Sequence, residues 1–352
     1  MTKQEKMKLH ESFWLGEGPC LLLIPAPEPD GLPPYRLQVE NPSLMWQAQR
    51  DRARMVIDWP TDGIPTIRAN YGVVFVPALA GLEFSLQGDQ MPWPGDPLEE
   101  SCIRRIPEID IAKTSMMRRA CEVYECYLKS GETEIAAYLA DTQGVFDIAH
   151  LLYGHDLFTD ILEESRQPWA KELLESSLDL YVRATKYVKS FLNEPLNHMI
   201  HGHGTPQGVY FPHGGARVSE DTAILLSPES IATWVIPYVE RALAQFGGGF
   251  AHFCGRHENL FMQLCQCGVV RAIDVQPDVY DPHWLMEQCA ATGTVLYSGI
   301  AAHPGETWRS YVKRLSQIVK ATGARCIIRP GVVPETREEC AAMLDLWHEM
   351  TS

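Results

Sequence analysis

Basic charge is scarce in this chain. Lys and Arg number 30 against 45 Asp and Glu, a net charge of −15 at neutral pH, and no stretch gathers a basic face. Binding to nucleic acid or to an anionic membrane surface draws on such a face, so the composition argues against both partners. Long apolar runs are missing as well. Cys20-Leu-Leu-Leu-Ile24 falls far short of the roughly 20 residues that cross a bilayer. Met1-Thr-Lys-Gln-Glu-Lys6 carries charges of both signs with no hydrophobic region behind it, so no secretory leader is expected. No Gly-x-Gly-x-x-Gly follows a strand and opens a helix, and neither a Walker-type loop nor a Gly-x-Ser-x-Gly elbow is present; nothing supports dinucleotide binding, phosphate-loop chemistry or an α/β-hydrolase nucleophile. The ten cysteines are scattered without a disulfide-type framework, which suits a reducing cytoplasm.

What is there is a chain of 352 residues with 45% apolar and 21% charged side chains, enough for one large α/β domain or two ordinary ones. Residues 1–60 are Pro-rich and irregular and read as an N-terminal arm with one helix over about 43–56. Pro65–Asn70 and Val73–Pro77 read as short buried segments. From residue 131 strands and helices alternate. Strands are expected over 135–140, 208–212, 249–254, 272–276, 294–298 and 325–329. Helices are expected over 111–130, 146–153, 157–163, 168–192, 228–246, 256–267, 282–291, 306–322 and 337–349. Ser227 and Pro228 mark one helix start by N-cap and first-turn preference. Such alternation predicts a parallel sheet. Six good strands after residue 135, with one or two more near 67–77, suggest a (β/α)8 TIM barrel over 61–352 with an N-terminal extension; an open doubly wound sheet is the alternative.

In such a barrel the active site lies at the C-terminal ends of the strands. Polar residues expected there are Arg68 and Asn70, Asp141 and Gln143, His213, His252 and Cys254, Gln276 and Asp278, and Ser298, with Asp221 on the loop after His213, while Tyr210 and Phe211 read as core more than as substrate-stacking residues. Alternate strand residues share a face, so His252 and Cys254 point together, and an imidazole beside a thiolate is half of a zinc site. His201 and His203, between glycines, read as loop residues.

Several of these stretches also carry a family resemblance. Ser227-Pro-Glu229 through Pro237-Tyr238, His252-Phe-Cys-Gly255, Asp274-Val-Gln-Pro-Asp278, Pro65-Thr-Ile-Arg-Ala-Asn-Tyr-Gly72 and Asp141-Thr-Gln-Gly-Val-Phe-Asp147 together resemble the uroporphyrinogen decarboxylase superfamily, most of all its corrinoid-dependent methyltransferase branch. The resemblance covers residues 60–345 and implies a (β/α)8 barrel. In the thiol-methylating members a His-x-Cys pair and a later Cys in Pro-Gly-Cys bind zinc, which holds the acceptor thiol as thiolate. His252 and Cys254 match that pair as metal ligands, but the later motif reads Pro330-Gly331-Val332. Cys326 lies six residues earlier, about 20 Å along a strand, so a third ligand falls to His213, Asp221 or another residue of the mouth.

The resemblance thus implies methyl transfer between a corrinoid (cobalamin), held on a partner protein, and a small acceptor. Asp221 and His213 would act as acid/base or ligand groups, and Arg68, Asn70, Asp141, Gln143, Tyr210, Gln276 and Asp278 would line the substrate site. The sequence leaves open whether residues 1–60 cover the mouth or mediate contacts in a homodimer. The alternatives left open are a zinc-free methyltetrahydrofolate-type methyltransferase using Asp141, Asn70, Asp221 and Gln276, a decarboxylase, and a barrel that binds a small molecule without catalysis.

Overall fold

Local chemistry sets the helix boundaries. Asn41 accepts from Ser43 N at 3.0 Å and Leu44 N at 3.4 Å and is followed by Pro42, which opens the helix Pro42–Ile57. Ser227 and Pro228 do the same for Pro228–Trp234, with Ser227 Oγ accepting from Ser230 N at 3.2 Å. A side-chain acceptor at this position satisfies amides that have no partner within the helix. The computed structural model describes residues 1–276 and 279–352; Asp278 lies outside them. Among the described residues no helix is long and apolar enough to cross a membrane.

Strands occur at β1 (Leu21–Leu22), β2 (Ile64–Ile67), β3 (Phe84–Ser85), β4 (Trp93–Pro94), β5 (Ala136–Ala137), β6 (Met199–His201), β7 (Gln207–Phe211), β8 (Ala216–Ser219), β9 (Gly249–Phe253), β10 (Val270–Val275), β11 (Val295–Ile300) and β12 (Cys326–Pro330). Helices follow β8 through β12 in turn, so the α/β class and the parallel sheet are as expected. Six strands form one parallel sheet in the order β1-β12-β11-β10-β9-β8, and four form a mixed sheet, β5-β2-β7-β6. Backbone hydrogen bonds join the two at either side: Asp62 N donates to Leu22 O at 3.1 Å, and Gly144 N to Ser219 O at 2.7 Å. Gly249 is required where β8 and β9 meet, since a Cβ there would lie 1.9 Å from Ala216 O.

Two strand assignments made from sequence are corrected. Residues 72–79 are helical, as Gly72–Val74 and Phe75–Leu79. The run 208–212 is not a parallel strand: β7 pairs antiparallel with β6 and with β2. The parallel neighbour of β9 is the four-residue β8, whose polar inward residues gave no apolar run to detect. Buried positions of an all-apolar strand and of an antiparallel hairpin read alike in sequence.

Residues 1–60 supply the helix Lys3–Leu15 and β1, an edge of the larger sheet. That helix is pinned from within. Lys6 Nζ donates to Gly63 O at 2.7 Å, His10 Nε2 faces Asp62 O at 3.0 Å, and His10 Nδ1 accepts from Tyr210 N at 3.0 Å. Burial depresses His10 to about 4, so it is neutral, and its single ring proton goes to the Asp62 carbonyl. The Asp62 carboxylate is fully buried and its Oδ2 accepts from Leu22 N at 2.8 Å and His348 Nε2 at 3.0 Å, tying β1 to the last helix.

Asp62→Ala strands the Leu22 amide and the His348 ring, and unfolding is expected to become easier by roughly 1–3 kcal/mol, measured by denaturant titration. Burial opposes the charged form of His348, but the hydrogen bond to Asp62 outweighs it and raises its pKa. The folded state therefore binds the proton more tightly. The stabilisation is fully present below the unfolded value of about 6.5 and is lost as pH rises through the folded one. Asp62→Ala should abolish that part of the pH dependence.

Candidate functional site

The ladder registers set Ser219 opposite His252 and His252 opposite Asp274, a row of three neighbours at the C-terminal ends of β8, β9 and β10. Strand alternation puts Phe250, His252 and Cys254 on one side. His252 Nε2 lies 3.3 Å from Cys254 Sγ and 3.5 Å from Asp221 Oδ1. Ligand-type atoms of Asp221, His252 and Cys254 fall within 4.8 Å of one another. The other ring nitrogen, Nδ1, faces Asp274 Oδ2 at 3.2 Å. Burial disfavours a charged His252, yet the flanking Asp274, Cys254 and Asp221 outweigh it and raise its pKa to about 10.

Asp274 anchors this row. Its Oδ2 accepts from Arg329 Nη2 at 2.8 Å and lies 2.8 Å from His203 Nε2. Burial alone would raise its pKa, but Arg329, His203 and His252 hold it well below the usual carboxylate range. An ionised carboxylate only accepts, so each histidine nitrogen facing Asp274 carries a proton. That leaves Nε2 as the nitrogen His252 turns towards Cys254 and Asp221. His203 arrives on the turn between β6 and β7 with φ 43°, its ring centroid 4.5 Å from that of His252. Burial lowers its pKa to about 4 despite Asp274, so it is neutral.

The loop that carries Asp221 is held by a pair of buried acids. Asp147 accepts from Asp221 N at 2.9 Å, from Thr222 N at 2.9 Å and from the Thr222 hydroxyl. Glu220, fully buried, returns the contact by accepting from Asp147 N at 3.2 Å, at the start of the helix Val145–Tyr153. Its carboxylate fills the space over Gly144, where a Cβ would meet Glu220 Oε1 at 2.2 Å. Burial, reinforced by the Asp221 charge, raises Asp147 to about 7, and burial with Asp147 raises Glu220 well above its ordinary value. Asp221 Oδ1 in turn accepts from Cys254 N at 2.6 Å, so loop and strand end are locked together.

A second polar cluster gathers Arg68, Asn70, Asp141 and Gln143 with Arg217. Asp141 is paired with Arg217, lies 3.7 Å from Arg68 Nη1, and accepts from Gln143 Nε2 at 2.7 Å; Arg68 Nε donates to Asn70 Oδ1 at 2.9 Å. Burial opposes the Asp141 charge, but Arg217 and Arg68 prevail and hold its pKa down. Polar atoms without a hydrogen-bond partner remain buried on Gln143, His201, Arg217, Glu220, Asp274 and, at Nδ1, His252.

The structure thus brings together most of the residues read from sequence. Gln276 joins the first group, its Oε1 accepting from Gly255 N at 3.1 Å. Ser298 is fully buried and donates to Val275 O at 2.9 Å. Two residues stand elsewhere. Tyr210 accepts through its carbonyl from Trp14 Nε1 at 2.7 Å, and the His213 carbonyl accepts from Arg271 Nε at 3.1 Å, near the start of β10 and not its end. The physical reason is the antiparallel course of β7, which runs these residues towards the opposite end of the sheet. Cys326 is likewise distant, with its amide on Cys20 Sγ at 3.4 Å at the start of β12. Sequence reading missed Asp274, His203, Arg329, Asp147 and Arg217. Asp274 was within reach, being two residues before Gln276 and on the same strand face.

No family model matches this chain, and no curated protein does. A solved structure described as a methyltransferase from Methanosarcina mazei superposes with a TM-score of 0.67 over 100% of both chains at 12% sequence identity. At that identity the likeness is one of fold.

Replacing Asp147 by Ala leaves the amides of Asp221 and Thr222 without an acceptor. Their hydrogen exchange should accelerate and global stability should drop by roughly 1–3 kcal/mol, whereas unchanged protection at both amides would refute the latch.

Proposed function

We propose that this chain is a zinc-dependent methyltransferase of the uroporphyrinogen decarboxylase type, moving a methyl group between a corrinoid on a partner protein and a small thiol acceptor. The observation that carries the reading is the convergence of Asp221, His252 and Cys254 within 4.8 Å. The donor set suits zinc, which takes thiolate, imidazole and carboxylate and keeps a fourth position open in catalytic sites. Asp221 fills the part that Val332 leaves vacant in the family pattern. The structural likeness to a methyltransferase and the motif resemblance support the same class.

The fold reading follows. The two hydrogen bonds that join the sheets support a closed ring β1-β2-β5-β8-β9-β10-β11-β12, a (β/α)8 barrel with the β6–β7 hairpin reaching its interior. In that ring β1 is a barrel strand, so the arm expected over 1–60 reduces to the helix before it and the segment after it.

Zinc bound there would act as a Lewis acid that keeps an acceptor thiol in its nucleophilic thiolate form. The protein's part is orientation and charge. The Asp274 carboxylate faces Nδ1 of His252 at 3.2 Å and by its charge favours a proton there, so that Nε2 is the nitrogen presented to Cys254 and Asp221, as carboxylates orient metal-binding histidines. Arg329 and His203 keep Asp274 ionised. Asp147 and Glu220 fix the loop that presents Asp221. The zinc-free pterin reading has less support, because Asp141 is committed to Arg217 and Arg68, and Gln276 to Gly255 N.

Two outcomes test this. Purified protein should hold about one zinc per chain, lost in the His252→Ala, Cys254→Ala double variant, and it should bleach the methylcobalamin spectrum when given a thiol. Metal-free protein that demethylates methylcobalamin equally well would overturn the mechanism. Because metal must displace the Nε2 proton of His252, zinc affinity should climb at least about tenfold per pH unit between pH 6 and 8. A pH-independent affinity would contradict the assignment of His252 as a ligand.

A further inference from the structure

We propose that the opposite end of the sheet carries a second binding site, independent of the metal centre, for a small organic anion bearing an aromatic ring. A pocket of about 390 Å³ opens there between Phe13, Trp14, Phe211, His213, Arg271 and Arg325. Arg325 stands immediately before β12 and Arg329, on Asp274, is four residues further on, so about 13 Å of strand separates the pocket from the metal centre. Its volume lies within the range of small-molecule sites, roughly 300–1,000 Å³.

The charge of the pocket is what singles it out. No carboxylate lines it among the described residues. Arg325 donates to Gly18 O and Phe13 O, each at 2.7 Å, and its Nε is buried without a partner. Arg271 donates to the carbonyls of His213 and Gly268 at 3.1 Å and of Gly247 at 3.4 Å. Carbonyls hold a guanidinium in place but leave its charge uncancelled. In a chain of net charge −15, two such cations at one recess create a local positive field that draws anions. The walls fix the rest of the ligand. The Trp14 and Phe211 rings lie 4.9 Å apart and tilted by 46°, and the Arg325 guanidinium sits 4.5 Å from the Phe13 centroid. These surfaces favour a flat ring over an alkyl chain. A second recess of about 330 Å³ shares Arg271 and Gly293 with it and runs past Gly268 and Thr294, so a phosphate or carboxylate at Arg271 would be reached from both hollows.

The test is calorimetric titration of the full chain with adenosine 5′-monophosphate and, separately, salicylate, with adenosine and inorganic phosphate as partial probes. At least one aromatic anion should bind saturably. Adenosine and phosphate should each bind about tenfold or more weakly than the nucleotide if the nucleotide is the binder. Arg271 is exposed, so Arg271→Gln should leave the protein folded, with a thermal midpoint lowered at most modestly by the lost carbonyl contacts, while weakening binding about tenfold or more. The His252→Ala, Cys254→Ala variant should bind as the wild type does. Absence of saturable binding by both aromatic anions overturns the proposal, and so does binding that Arg271→Gln leaves intact or that the metal-site variant abolishes.

Discussion

A carboxylate as buried as Asp274, 2% exposed, stays ionised only where donors converge on it, because desolvating an unpaired charge costs several kcal/mol. Here Arg329, His203 and His252 meet on one of its oxygens. Everything at this end of the sheet depends on that convergence. It fixes which nitrogen of His252 faces Cys254 and Asp221, meets the β6–β7 turn at His203, and links β12 to β9 across β10 and β11. Removing the carboxylate would leave the half-buried Arg329 cation without its partner and release both imidazoles. A loss of that kind exceeds the loss of one hydrogen bond.

The same economy of buried acids appears twice more. Asp147 and Glu220 each accept backbone amides from the segment that carries the other, so the helix Val145–Tyr153 and the loop after β8 are positioned as one piece. Asp62 joins β1 to the final helix by a backbone amide and a histidine. In a chain with surplus negative charge, acids are placed where only an acceptor can close a gap between elements. At the other end Arg271 and Arg325 are held by backbone carbonyls and by no carboxylate among the described residues.

Much of this was legible in sequence where a local rule governed. The period of two placed His252 and Cys254 together, and Ser227-Pro228 marked a helix start correctly. The rule failed where polar side chains face inward. Arg217 and Ser219 are buried at 3% and 1%, so β8 offers no apolar run, and the more apolar β7 was taken in its place; His213 was misplaced as a result. His203 sits in a turn with positive φ, and no short-range pattern tells that such a turn folds back onto a strand end. Asp274 needed only the step of reading two residues inward from the expected strand end at Gln276, whereas Arg329 stands at the very end of the strand expected over 325–329, where an arginine beside Pro330 gives no sign of a buried acid two strands away.

Zinc K-edge X-ray absorption on the loaded wild-type protein tests the central claim most directly. Asp221, His252 and Cys254 as ligands predict one sulfur neighbour at about 2.3 Å with nitrogen and oxygen neighbours near 2.0–2.2 Å, and loss of the sulfur shell in Cys254→Ser. A shell of nitrogen and oxygen alone in the wild type, or one with several sulfurs, would contradict the centre described.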